Sequence, residues 1–158
     1  TGEAELSKSK NSARVRLLID NDFVAYMRHA FRFARESIDI FTPRFRASTR
    51  GIGNLIRHNA GVGNVKIRVL VTDLGGARSL RAIVPEKRLQ LRILETTQRN
   101  HERLVIVDGE KYITGSHGFT PTSLFNSREI SVAVEQSPDV CSAAAMRFEP
   151  LWSRGRPV

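Results

Sequence analysis

The sequence predicts an α/β fold in which a mixed, mostly parallel β-sheet carries helices on both faces. Short alternating apolar runs, "RVRLLI", "SIDIFT", "VKIRVLVT" and "LQLRILE", are separated by stretches of helical period, the pattern of strands joined through crossover helices. Two later runs are joined only by a turn at Asp108-Gly109, too short for a helix, so an antiparallel hairpin must enter the same sheet. A chain of 158 residues can bury one sizeable core and leaves little for a second, so one domain is expected over 14–158.

Residues 1–13 are polar, with Lys8, Lys10 and three serines, and read as a flexible leader or linker. The first strand is 14–19. "DND" then offers caps for a helix over 22–36, with Phe23, Met27, Ala30, Phe31 and Ala34 spaced along one buried face. Arg28, Arg32 and Arg35 share another face, as a solvated stripe does. A strand over 37–42 is stopped by Pro43, and the loop "RFRASTR" after it sets Arg44, Arg46 and Arg50 around Phe45. Loops at strand ends carry ligand contacts in folds of this kind, which makes these three arginines candidate substrate-gripping residues. A helix over 49–59 ends in "GVGN", whose glycines lack a following Gly-Lys-Ser/Thr and therefore form a helix stop, not a nucleotide loop. Strands over 65–72 and 89–95 flank a short helix at 77–83. The hairpin of 102–107 and 111–115, a strand at 129–134 and a helix over 138–148 complete the chain.

Hydrophobic residues make up 41% of the chain, and no apolar run approaches the ~20 residues that span a bilayer, which excludes an integral membrane helix. The sequence opens at Thr1 without a charged-then-apolar signal segment, so a processed or cut form is expected, with a soluble, cytoplasmic setting slightly favoured. The single cysteine, Cys141, lies in "VCSAAAM" and reads as a small buried residue. The formal charge is +9, and 20 of the 25 cationic residues are arginine. The planar guanidinium fork binds phosphate oxygens in pairs, so nucleic acid, or another phosphate ester, is the expected partner.

The stretch "NHERLVIVDGEKYITGSHGFT" at 100–120 carries the chemistry. Residues two apart on a strand point the same way, which sets His101 and Arg103 side by side. An imidazole can attack phosphorus while an adjacent cation holds the nonbridging oxygens where negative charge gathers. His29 and His58 fall on helices and read as incidental. His and carboxylate residues do not cluster at metal-ligand spacing, so no metal and no cofactor are expected.

His101-x-Arg103, Asp108, Gly115-Ser116 and, in "NSREISV", Glu129 resemble the signature of the phospholipase D superfamily, which reads His-x-Lys, Asp, Gly-Ser-x-Asn and a later acidic residue. The resemblance covers most of the chain and implies the phospholipase D-like fold. It is closest to small single-motif members, which work as homodimers and include sequence-nonspecific endonucleases. Arg103 stands at the family's lysine and Gly118 at its asparagine. Arginine keeps the charge but changes reach and geometry. Glycine leaves only its backbone, with Ser116 and His117 to fill part of the space, although His117 also reads as an exposed turn residue.

The resemblance implies a metal-independent phosphodiesterase, a nuclease acting on DNA or RNA through a phosphohistidine. His101 of one subunit would attack phosphorus and His101 of the other would protonate the leaving oxygen. Glu129 would hold the imidazole's far nitrogen, and Arg103 and Ser116 would cradle the phosphoryl oxygens. Asp108 would be a structural acceptor pinning the hairpin turn, and Arg44, Arg46 and Arg50 would grip backbone phosphates. The alternative is a catalytically silent phospholipase D-like module that binds nucleic acid or dimerises inside a larger protein. Hydrolysis of phospholipid headgroups ranks last, because no amphipathic apolar loop stands ready to meet a membrane.

Overall fold

The computed structural model describes residues 13–46, 52–62, 64–84 and 89–158. Its strands are β1 (Arg14–Ile19), β2 (Ser37–Thr42), β3 (Lys66–Val71), β4 (Leu89–Ile93), β5 (Leu104–Val107), β6 (Lys111–Gly115), β7 (Ile130–Glu135) and β8 (Arg156–Pro157). They form one sheet in the order β1-β7-β6-β5-β2-β3-β4-β8. The expected leader lies outside the described residues but for Ala13, and so does Arg50.

The sheet is mixed, as expected, but its parallel pairs are confined to β2–β3 and β3–β4, and the other neighbours are antiparallel. The expectation of mostly parallel pairing is corrected to that extent, although β1, β2, β3, β4 and β6 all run in one direction. Parallel neighbours need a crossover of a dozen or more residues. Only α2 (Ile52–Val62) and α3 (Leu74–Ile83) make such crossovers between adjacent strands. Elsewhere β5 and β6 turn back directly, β7 returns against β6, and β1 and β8 close the edges antiparallel.

Helix α1 (Asp22–Arg32) buries Phe23, Val24, Met27, Ala30 and Phe31, the face its periodicity prescribes. With α2 and α3 it covers one side of the sheet, against Ile38, Ile40, Val69, Val105 and Val107. The opposite side takes α4 (Pro138–Arg154), whose Phe148, Leu151 and Trp152 pack on Phe41, Leu70, Leu104 and Ile106. The helix continues past the expected stop at 148 and through Pro150, because Leu151 and Trp152 are buried and hold its last turn on the sheet. Arg68 of β3 fastens it there. Its guanidinium binds Asp39 at 2.7 and 2.9 Å and Glu149 at 2.6 and 3.1 Å, and lies 4.9 Å from the Phe148 ring centre. Cys141 is buried in the same helix.

Among the described residues, nothing but α4 covers that side, and the helix does not reach the β1–β7 end of the sheet. Val15, Leu17 and Ile19 of β1 are 65, 57 and 49% exposed and pair with Val134, Val132 and Ile130. Ile130 is itself 52% exposed. Alternation along the strand puts all of them on one face, as an apolar strip.

Strand direction decides where the loops gather. The carboxyl ends of β2, β3 and β6 and the entries to β5 and β7 all emerge along one edge of the sheet. That is the edge at which open α/β sheets bind ligands. Phe45 after β2 bridges Phe119 after β6, with their rings stacked 5.7 Å apart, and the Arg46 amide donates to the Phe119 carbonyl at 2.8 Å.

Candidate active site

A groove of about 1370 Å³ runs along that edge. His101, Arg103, Glu129, Arg44 and Arg46, all expected from the sequence, line it, and so do Arg99 and Ser123. His101 and Arg103 precede β5 rather than lying on it, for the strand begins at Leu104 and not at 102. They still face the same opening. The Arg103 carbonyl accepts from the Thr114 hydroxyl at 2.8 Å, which holds this lead-in against β6. The imidazole of His101 is exposed, and among the described residues no hydrogen bond engages it.

Glu129 is fixed from both sides. Its amide donates to Asp20 Oδ1 at 2.9 Å, and its carbonyl accepts from the Asp20 amide at 3.0 Å. Its carboxylate takes the Ser123 hydroxyl at 2.9 Å, and the Ser123 oxygen in turn accepts the Gly118 amide at 2.7 Å. The carboxylate, which the sequence reading gave to the His101 ring, shares the groove with His101, and the hydrogen bond it makes among the described residues is to Ser123. Arg44 projects into the groove without a side-chain partner among the described residues, whereas Arg46 is ion-paired to Asp73. The expected phosphate-gripping loop therefore offers one free guanidinium and one already engaged.

Four expected residues stand elsewhere. Ser116 is exposed outside the groove lining, where its Oγ accepts the Ile130 amide at 2.9 Å and closes the β6–β7 ladder. Gly115 permits that closure, since a Cβ there would stand 2.4 Å from Ser131 Cα. His117 is not the exposed turn residue expected, and it stands outside the groove lining. It is 2% exposed, stacked 4.3 Å from the Phe23 ring, with Nε2 at 2.8 Å from the Asp20 carbonyl and Nδ1 at 2.8 Å from Ser131 Oγ. The chain turns inward after Gly115, so His117 satisfies core polar groups in place of a phosphate.

Asp108 sits at the opposite end of the hairpin, in a turn where both Asp108 and Gly109 have positive φ, 55° and 62°. Its carboxylate accepts the amides of Arg35, Glu36 and Ser37 at 2.8 to 3.1 Å, where the chain enters β2. Burial pushes this carboxyl up, but the Ser37, Glu36 and Arg35 amides, with Lys111 nearby, outweigh it and hold it below the usual carboxylate range. A lowered folded value means stability that is present above the unfolded value and lost as pH falls through the folded one. Asp108→Ala, which orphans three amides, is expected to lose about 1–3 kcal/mol at neutral pH. Urea unfolding should show the gap from the parent narrowing as the solution is acidified, while an unchanged gap would deny Asp108 this role.

Comparison with known proteins bears on what the groove is. The family described as "Cardiolipin synthase, PLD-like domain" matches residues 27–152. The chain belongs to the phospholipase D-like family. Its fold is shared with Nuc of Salmonella typhimurium, a phospholipase D family member, at TM-score 0.80 and 19% identity over 93% of this chain and 99% of that one. NucT of Helicobacter pylori follows at TM-score 0.74 and 15% identity, over 93% and 100%. TrmBL2, an archaeal chromatin protein whose structure shows a novel mode of DNA binding, gives TM-score 0.68 and 18% identity, over 92% and 54%. No match was found among curated protein sequences.

Within this phospholipase D-like groove, the two departures noted in the sequence touch each other. A Cβ built on Gly118 would lie 3.3 Å from Arg103 Nε, 3.7 Å from Ser123 Oγ and 3.8 Å from Ser123 Cβ. The missing side chain at 118 is the space through which the longer cation reaches. Sequence reasoning missed Ser123 and Arg99. Ser123 reaches the groove on a short π-helical turn, Thr122–Asn126, that no periodicity announces. Arg99 had a signal, two positions before His101 in an arginine-rich chain. Among the described residues no three His, Cys, Asp or Glu side chains converge as metal ligands, and no helix is long and apolar enough to cross a membrane.

Proposed function

We propose that the groove hydrolyses phosphodiesters of nucleic acid, DNA or RNA, without a metal ion and in a homodimer. The observation that carries this reading is the meeting of an unengaged imidazole, His101, with the Arg103 guanidinium and the Glu129 carboxylate in one arginine-lined groove. In the first step the His101 ring attacks phosphorus, a P–N bond forms and the P–O bond to the leaving oxygen breaks. The partner subunit's His101 gives that oxygen its proton. In the second step water attacks phosphorus, loses a proton to the partner's His101 and releases the P–N bond. Arg103 holds the nonbridging oxygens through both steps, where charge gathers. Ser123 keeps Glu129 aimed into the groove as a counter-charge to the imidazolium.

The bare apolar strip supports the dimer. Leu17, Ile19 and Ile130 are the kind of surface a second copy covers, and Ile130 adjoins Glu129 at the groove margin. Purified protein is expected to cleave labelled DNA or RNA and a chromogenic diester in excess EDTA. Loss of cleavage on chelation would overturn the metal-free mechanism. The likeness to TrmBL2 favours one other reading, a phospholipase D-like module that binds DNA without cutting it. Salt-sensitive binding with no cleavage of any substrate would establish that reading instead.

A further inference from the structure

A second depression, of about 190 Å³, lies between the end of β4 and the last turns of α4. Arg99 and Asn100 line both it and the main groove, so the two depressions adjoin at these residues. The other cations of the second depression are Arg147 and Arg154, and its acids are Glu95 and Glu102. Both acids are already neutralised, Glu102 by Arg147 and Glu95 by Arg156 at 2.9 Å. Arg99 and Arg154 are exposed, and among the described residues neither has an ion-pair partner. Among the described residues the cations left without an ion pair are thus Arg44 and Arg103 in the groove, Arg99 at the junction and Arg154 beyond, against one unpaired carboxylate, Glu129.

We infer that this second depression is an extension site for the sugar-phosphate backbone, so that the protein's ligand is an extended polynucleotide strand and not an isolated phosphate ester. The inference builds on the proposed function, taking the groove as the seat of the central phosphate. Spacing free cations along two adjoining depressions suits a polyanion whose charges repeat, and a single headgroup would leave Arg154 without a ligand. Recognition would be through phosphate and independent of base. Among the described residues the one Phe, Tyr or Trp lining the second depression, Phe41, is buried, and none lines the main groove, where the only aromatic ring is the His101 imidazole already assigned to phosphorus.

The test is equilibrium binding of fluorescent oligonucleotides of about 4 and about 16 nucleotides to the parent and to Arg154→Glu, with vesicles rich in anionic phospholipid as a third probe. The variant changes an exposed side chain at the end of α4 and leaves the groove intact. It should weaken binding of the longer strand by roughly tenfold, lower the salt slope by about 0.7 or more, and leave the shorter strand and hydrolysis of a chromogenic diester unchanged. Equal weakening for both lengths, or none for either, would overturn the extension site. Vesicle binding that depends on Arg154 where strand binding does not would overturn it in favour of a lipid surface. Because binding is read apart from cleavage, a parent that binds the long strand through Arg154 but cuts nothing would sink the proposed hydrolysis and leave the extension site standing.

Discussion

Replacing His101 with alanine is expected to abolish diester cleavage while leaving the fold untouched. The imidazole is the nucleophile of the proposed mechanism, and no arginine can substitute for it. In a dimer the change removes both the nucleophile and the acid at once, so the loss should be on the order of 10⁴-fold or greater. Stability should not follow, since the exposed ring makes no hydrogen bond with any described residue. Turnover of a chromogenic diester, read beside the thermal midpoint, separates the two effects. Cleavage that survives in the variant would remove His101 from the chemistry.

The second large effect concerns Arg103 and Gly118, which are expected to behave as a unit. Gly118→Asn adds a side chain whose Cβ alone would stand 3.3 Å from Arg103 Nε and 3.7 Å from Ser123 Oγ. The Cβ displaces the guanidinium by a few tenths of an ångström and the amide beyond it competes for the same space, so turnover is expected to fall by up to about 10²-fold, as when a donor to developing charge is withdrawn. Arg103→Lys alone loses the paired donors of the fork. Lysine sets a Cε where arginine has Nε but carries no rigid planar fork beyond it and can bend aside from asparagine, so the double variant should be at least as active as Arg103→Lys and well above Gly118→Asn. A double-mutant cycle on the chromogenic diester would give a coupling of about 1 kcal/mol or more. Strictly additive losses would show that the two departures from the family signature arose without reference to each other.

Much of the fold was legible because its elements are carried by local pattern. The buried face of α1 follows from Phe23, Met27, Ala30 and Phe31, and the hairpin from Asp108-Gly109 between two apolar runs. What local pattern does not carry is pairing. Nothing in "RVRLLI" says that β1 lies antiparallel to β7, and Arg156–Pro157 becomes β8 only because β4 offers it an edge. The candidate site divides in the same way. Glu129 lies far in sequence from the neighbouring His101 and Arg103, and the order of the strands brings their loops to one edge. Ser116 and His117 carry the family's spacing, but their surroundings, the Ile130 amide and the Phe23 ring, come from distant segments and turn them to structural work. Ser123 was hidden for the converse reason, since its value lies in where a π-helical turn delivers its hydroxyl.

Whether two histidines from two subunits act on one phosphorus can be measured by subunit mixing. Parent and His101→Ala chains, co-expressed in equal amounts and purified together, assort so that about one dimer in four keeps both imidazoles. Activity per dimer is predicted to fall to that fraction and, as the ratio is varied, to follow the square of the parent's share. A linear dependence on that share would mean that each subunit works with its own histidine alone, and the shared site would be disproved.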